Sequence, residues 1–99
     1  MNDDLPELET ADFERAISAR LRRRVAERGV ESGGDVVAIR RFTGLNVEDF
    51  ALAIGVGVDT VRGWESGACR PEGPTMNLLR IAARHPGVFT ENIRSAVER

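Results

Sequence analysis

Arginine is the residue type in this chain with the strongest capacity for polar recognition, and it supplies all fourteen basic residues. One of them, Arg62, lies in the stretch FALAIGVGVDTVRGWESG, which runs from Phe50 to Gly67. A guanidinium group can donate two parallel hydrogen bonds to a phosphate or to the edge of a guanine base. The single Cys69 and the single His85 provide neither a disulfide partner nor the ligand set of a zinc site. The sequence therefore favours recognition by charge and hydrogen bonding.

Nothing in the sequence indicates catalysis, a cofactor or a membrane. No paired carboxylates, nucleophile with a base, or metal cluster can be assembled, and GVGV at 55–58 lacks the Lys and Ser or Thr that follow in a phosphate-binding loop. No apolar run approaches the roughly 20 residues that span a bilayer, and the start of the chain, MNDDLPELE, is acidic, unlike a secretory signal. We expect a cytoplasmic protein that is not an enzyme and needs no cofactor.

The stretch has the pattern of two short helices joined by a tight turn. Phe50 and Ile54 are four residues apart, hence on one helix face, and Asn46 can cap that helix at its start. Ala51 is small enough to let a second helix approach. Gly55 can end the first helix in the left-handed conformation that glycine adopts without steric cost. The spacing predicts a helix-turn-helix, although two ordinary core helices of an all-α domain would share its periodicity.

The second helix of this pair is predicted to begin at Val58 and to end at Gly67, with Val61 and Trp64 facing the core. A glycine in an exposed helix costs about 1 kcal/mol relative to alanine, so Gly63 suggests that another group, such as DNA, comes close there. A recognition helix presents an outward face of this kind to the major groove. The outward positions are Gly57, Val58, Asp59, Arg62, Gly63 and Ser66.

A longer stretch carries a family resemblance. VVAIRRFTGLNVEDFALAIGVGVDTVRGWESGACRPEGPTMNLLRIAARHPGVF, roughly residues 35–90, contains W-E-x-G and P-x-G-P at the spacing typical of the XRE superfamily. Within it, the chain resembles type II antitoxins of the HigA and NadS kind. It departs from them at Asn46 and Val47, where Ser or Thr followed by Gln is common, and at Gly57, where Ser commonly caps the recognition helix. The resemblance also implies a structural pair between Arg40 and Glu65.

The resemblance implies a repressor that binds double-stranded DNA, regulates its own operon and neutralises a ribonuclease toxin of the RelE or HigB kind. We expect a homodimer on an inverted-repeat operator, because one short helix reads too few base pairs. The dimer interface could form through the C-terminal helix around Ile93 and Val97 or through the N-terminal helix. The alternatives are a plain XRE regulator without a toxin and an interaction module whose helix-turn-helix no longer binds DNA.

Individual residues have separate expected roles in DNA recognition. Arg62 is expected to contact a guanine edge, and Asp59 either accepts from a cytosine amino group or complements the helix dipole. Arg41 and Arg70 are expected to contact phosphates, unless they are merely solvated. Thr60 resembles the family's threonine at this position and is a candidate for a phosphate or base contact.

Charge is distributed unevenly at the front of the chain, although the net charge is only −2. Residues 1–14 contain six acidic and no basic residues, whereas residues 15–28 contain six arginines and one acid. Residues 1–9 are expected to be disordered, because they are acidic and have little to bury. The acidic segment from Asp3 to Glu14 could cover the basic RNA-binding surface of a toxin.

A basic amphipathic helix is predicted from about Thr10 to Gly29. Its apolar stripe could pack on the rest of the domain, bind a toxin or lie on a membrane surface. The membrane option is disfavoured, because the stripe is thin and the flanking acids repel anionic lipid. The stripe consists of Phe13, Ile17, Leu21 and Val25.

The predicted fold is all-α, with five or six helices in an arrangement like that of the XRE and lambda-repressor domains. Residues 1–34 are predicted to comprise the acidic tail, the amphipathic helix and a glycine-rich hinge or loop at 32–34, and residues 35–99 the DNA-binding domain. Within that domain, further helices are predicted at 35–43, 75–84 and 91–97, the last capped by Thr90.

Overall fold

Six α-helices make up the described part of the chain. The computed structural model describes the backbone of residues 10–97 and the side chains of residues 18–93, so the tail predicted to be disordered lies outside the described residues. No strand occurs between residues 10 and 97, which agrees with the all-α prediction. The helices are α1 (Thr10–Arg28), α2 (Gly33–Thr43), α3 (Val47–Ile54), α4 (Val58–Ser66), α5 (Pro74–Arg84) and α6 (Gly87–Val97).

α1 packs along α5, and arginines of α5 hold its C-terminal end. Val25 and Ala26 of α1 are buried, and the helix ends where Gly29 adopts a φ of 89°, as the sequence predicts. Arg80 and Arg84 each donate to the Ala26 carbonyl oxygen at 3.0 Å, which satisfies a carbonyl that has no partner within the helix. Leu21 and Val25 of the predicted stripe therefore pack on the domain, the first of the three options, whereas the side chains of Phe13 and Ile17 lie outside the described residues.

Every helix contributes to one core. Phe50 of α3 is fully buried, and its ring centroid lies 5.5 Å from that of Phe89 of α6. Trp64 is 5 % exposed, which confirms its predicted inward position. On α5, Ala82 is buried whereas Ile81 is 40 % exposed, so α5 turns the alanine and not the isoleucine toward the core. The other fully buried large side chains are Ile39, Leu79, Val25, Val36 and Val61.

The predicted glycine-rich hinge at 32–34 is wrong, because α2 already begins at Gly33. The Ser32 hydroxyl caps this helix by accepting from the Asp35 N–H at 3.3 Å. Asp35 is buried and accepts from both Arg24 Nη atoms, at 3.0 and 2.6 Å. Burial raises the pKa of this carboxyl, but hydrogen bonds from Arg24 and from the Glu31 N–H outweigh burial and hold the pKa below its ordinary value. The segment is thus a tightly bonded helix start.

The last helix also begins earlier than predicted. α6 starts at Gly87 and not at Glu91, directly after Pro86, where a proline's missing N–H removes no helical hydrogen bond. Thr90 therefore lies inside the helix and is not its cap, and its hydroxyl donates to the Thr43 carbonyl oxygen at 3.3 Å. This bond ties α6 to the end of α2.

Candidate nucleic-acid interface

The turn between α3 and α4 has the geometry that the sequence predicts. The Asn46 side chain accepts from the Asp49 N–H at 2.8 Å and caps α3. Gly55 ends α3 with a φ of 93°, and its N–H donates to the Ala51 carbonyl oxygen at 2.8 Å. The Val56 N–H donates to the same oxygen at 3.0 Å, and the Val56 side chain packs against the core. These bonds set the angle between the two helices.

α4 is anchored from its inner side. Val61 and Trp64 are buried, and Gly67 ends the helix with a φ of 84°. Arg40 of α2 donates to the Glu65 carboxylate at 2.7 and 3.3 Å, which confirms the predicted pair. Because both side chains are mostly buried, this two-point contact holds α4 on α2 and leaves neither group free to contact DNA.

The outward face of α4 presents a short row of polar and small residues. Asp59, Thr60 and Arg62 are exposed, as is Gly57 at the start of the helix. Val58 is only half-buried and packs against the core, so it adds little polar surface. Ser66 is exposed, and its hydroxyl donates to the Gly63 carbonyl oxygen at 3.1 Å.

Gly63 has a neighbour within its own chain. A Cβ atom at this position would lie 2.7 Å from the Cys69 sulfur, and the Ala68 and Cys69 N–H groups donate to the Gly63 carbonyl oxygen at 2.9 and 3.2 Å. The close group that the sequence suggests is therefore the chain following α4. A glycine here allows the loop to fold back on the helix, and a DNA contact is not needed to explain it.

The arginines expected to contact phosphates differ in their settings. Arg41 is exposed in the last turn of α2. Arg70 is exposed, yet one Nη atom donates to the Val30 carbonyl oxygen at 3.3 Å. This weak bond links the loop after α4 to the segment between α1 and α2. Arg41 is therefore the more available of the two for a phosphate.

Two departures from the common pattern of the turn have structural consequences. Val47 is the first residue of α3, and its side chain packs against the core instead of projecting a polar group. Gly57 precedes α4 without a side-chain cap, and its carbonyl oxygen accepts from the Thr60 and Val61 N–H groups at 3.1 and 3.3 Å. Polar contacts at these two positions would have to come from the backbone.

Metal sites and membrane spans are both absent from the part of the chain that the structure describes. There, no group of three or more His, Cys, Asp or Glu side chains is arranged to hold a metal ion. None of the helices between residues 10 and 97 has the length and apolar character needed to cross a bilayer.

The helix-turn-helix and the segment before it both fall within one family match. Residues 4–94 match the model of the antitoxin component of the bacterial toxin–antitoxin system, MqsA. The chain belongs to the MqsA antitoxin family. Because the match spans nearly the whole chain, membership in this family covers α1 as well as the helix-turn-helix. The narrower HigA and NadS resemblance, which covers roughly residues 35–90, stays a prediction.

Curated relatives of this MqsA-family chain include HTH-type transcriptional regulators called YiaG. Those of Escherichia coli K12, O6:H1 and O157:H7 are each 33 % identical over 54 residues. The alignment covers 54 % of this chain and 56 % of the relatives, so the chain spans about half the length of the curated relatives it matches. No solved structure matches the chain.

One residue near the predicted recognition face escaped the sequence analysis. Glu48 in the first turn of α3 approaches Arg62, with 3.5 Å between Oε2 and Nη2. The two residues are distant in sequence, and their approach depends on the angle between α3 and α4. Glu48 and Asp49 are both acidic residues of the first turn of α3, where negative charge also complements the helix dipole.

Proposed function

We propose that this MqsA-family chain is a sequence-specific repressor that binds double-stranded DNA through α4 and acts as the antitoxin of a type II pair. The observation that carries the proposal is the position of Arg62, whose side chain is 60 % exposed. On the opposite side of the same helix, Trp64 is buried in the core and Glu65 is paired with Arg40. Rigid support with an exposed arginine is what major-groove reading requires. The family match and the YiaG similarity support this assignment.

The operator is proposed to be an inverted repeat bound by a homodimer. α4 spans only nine residues, and its N-terminal half reaches few base pairs, so one copy discriminates weakly. Two copies related by a two-fold axis would place half-sites about one helical turn apart. Of the predicted interface residues, Ile93 is half-buried, and the side chain of Val97 lies outside the described residues.

The second partner is proposed to be a protein toxin, for which a RelE- or HigB-like ribonuclease is the expectation. The support is the acidic segment from Asp3 to Glu14, whose first four acids are Asp3, Asp4, Glu7 and Glu9, because such a segment suits a basic RNA-binding surface. Replacing these four acids with their amides should weaken toxin inhibition and leave promoter binding unchanged. Equal toxin inhibition by the wild type and by this variant would show that the acidic segment does not bind the toxin.

An interaction module without DNA affinity is the second candidate. Two observations favour it: Val47 is turned to the core, and Gly57 provides no side-chain cap at the start of α4. Fluorescence anisotropy with the chain's own promoter separates the candidates. A repressor binds the promoter more tightly than a scrambled duplex, and its affinity falls steeply as salt rises. Absence of binding at low salt would favour the interaction module.

A further inference from the structure

Arg62 does not stand alone on the outward face of α4. Glu48 lies beside it, with 3.5 Å between the charged atoms, and the two side chains are 60 % and 61 % exposed. Within the described residues, this is the ion pair that joins the two helices of the turn motif. Both groups are available to solvent and to a ligand, so Arg62 can contact DNA while Glu48 stays beside it.

The position of Glu48 makes this pair consequential for DNA binding. It lies in the first turn of α3, and the first helix of a helix-turn-helix crosses the DNA backbone. A free carboxylate there repels phosphates, and its charge is offset only while the guanidinium stays close. The same carboxylate restricts the directions in which the Arg62 side chain can extend.

We propose that Glu48 is a positioning residue that makes Arg62 selective for bases over phosphates, an inference that rests on the proposed DNA binding. On a non-cognate duplex, Arg62 keeps its partner and adds little phosphate affinity. On the cognate duplex, Arg62 donates to the two acceptors of a guanine and keeps the Glu48 carboxylate as a further partner, since a guanidinium has five N–H donors. The charge of Glu48 therefore stays offset in the specific complex. Glu48 therefore lowers non-specific binding more than it lowers specific binding.

Replacing Glu48 is expected to change the DNA affinity only modestly, because solvent screens an ion pair with this exposure. Exposed pairs of this kind correspond to about a 1.4- to 5-fold change in an equilibrium constant. Glu48→Gln should raise affinity for a scrambled duplex within that range and steepen the salt slope by about one phosphate contact. Affinity for the promoter should change less, so the ratio of promoter to scrambled affinity should fall.

The matched control is Asp49→Asn. It removes the same charge from the same helix turn, and Asp49 forms no ion pair with a described residue. General repulsion between α3 and DNA would make both variants gain non-specific affinity alike. The proposed role requires a larger fall in the affinity ratio for Glu48→Gln than for Asp49→Asn.

A double-mutant cycle with Arg62→Gln supplies the decisive test, with anisotropy titrations of promoter and scrambled duplexes for all variants. The proposal predicts that Glu48→Gln no longer changes the affinity ratio once Arg62 is replaced. An unchanged ratio in the wild-type background, or the same fall in both backgrounds, would overturn the role of Glu48 alone. A wild-type chain without preference for its promoter would overturn the proposed function and the role of Glu48 with it.

Discussion

Replacing Gly33 with alanine tests how the fold holds α4 in place. A Cβ atom at Gly33, in the first turn of α2, would overlap the Glu65 carbonyl oxygen and lie 2.8 Å from the Trp64 carbonyl oxygen. Both oxygens belong to the backbone of α4 and cannot rotate aside, so the two helices must separate. Overpacking of this kind costs about 1–3 kcal/mol of unfolding free energy.

Gly34→Ala is the matched control for this substitution. It lies in the same helix turn, where a Cβ atom would meet only the Ser32 hydroxyl at 3.6 Å. Neither glycine has a positive φ, so alanine at Gly34 should stabilise the fold by about 0.4–1 kcal/mol through the unfolded state. Urea denaturation followed by the fluorescence of the single tryptophan measures both effects. Equal changes in the two variants, within about 0.5 kcal/mol, would refute the close approach of α2 to α4.

Other substitutions separate the core, the buried ion pair and the expected phosphate contact. Trp64→Ala should lower the unfolding free energy by about 3–5 kcal/mol, whereas replacing the exposed Leu52 with alanine should change it by no more than about 0.5 kcal/mol, both measured by circular dichroism in urea. Asp35→Asn should cost about 1.5–3 kcal/mol at neutral pH, because it weakens hydrogen bonds to charged groups. The folded-state pKa of Asp35 is lowered, so its contribution is present above the ordinary value of about 3.9 and disappears as the pH falls through the folded-state value. Acidification below about pH 4 should therefore destabilise the wild type more than Asp35→Asn, and parallel pH profiles would contradict this. Arg70→Ala should lower the affinity for the promoter and for a scrambled duplex alike, and it should lower the salt slope by about one. A loss of affinity confined to the promoter would show that Arg70 reads bases.

The helix-turn-helix could be predicted because its determinants are local. Asn46 caps α3, and Gly55 and Gly67 end their helices, each through hydrogen bonds to residues within one or two turns. The inward position of Trp64 follows from its three-residue spacing from Val61. Such features depend on the order of residues along one helix, which a sequence displays directly.

The features that were missed depend on helices meeting in space. The sequence Ser32-Gly33-Gly34 is typical of a loop. Position 33 nevertheless lies in a helix, and it requires glycine because the backbone of α4 passes too close for a Cβ atom. Gly63 indicates from sequence only that some group comes close, and the identity of that group, Cys69, emerges only when the following loop folds back. Periodicity gives the face on which a residue lies, but not the angle at which two helices cross.

The central claim is that the outward face of α4 reads the promoter of this MqsA-family chain. Anisotropy titration of wild type, Arg62→Ala and Arg20→Ala with promoter and scrambled duplexes tests it directly, since Arg20 is an exposed arginine of α1. Arg62→Ala should weaken promoter binding by about 1–3 kcal/mol, with a much smaller loss on the scrambled duplex and for Arg20→Ala. Promoter binding by Arg62→Ala at the wild-type affinity would contradict the claim.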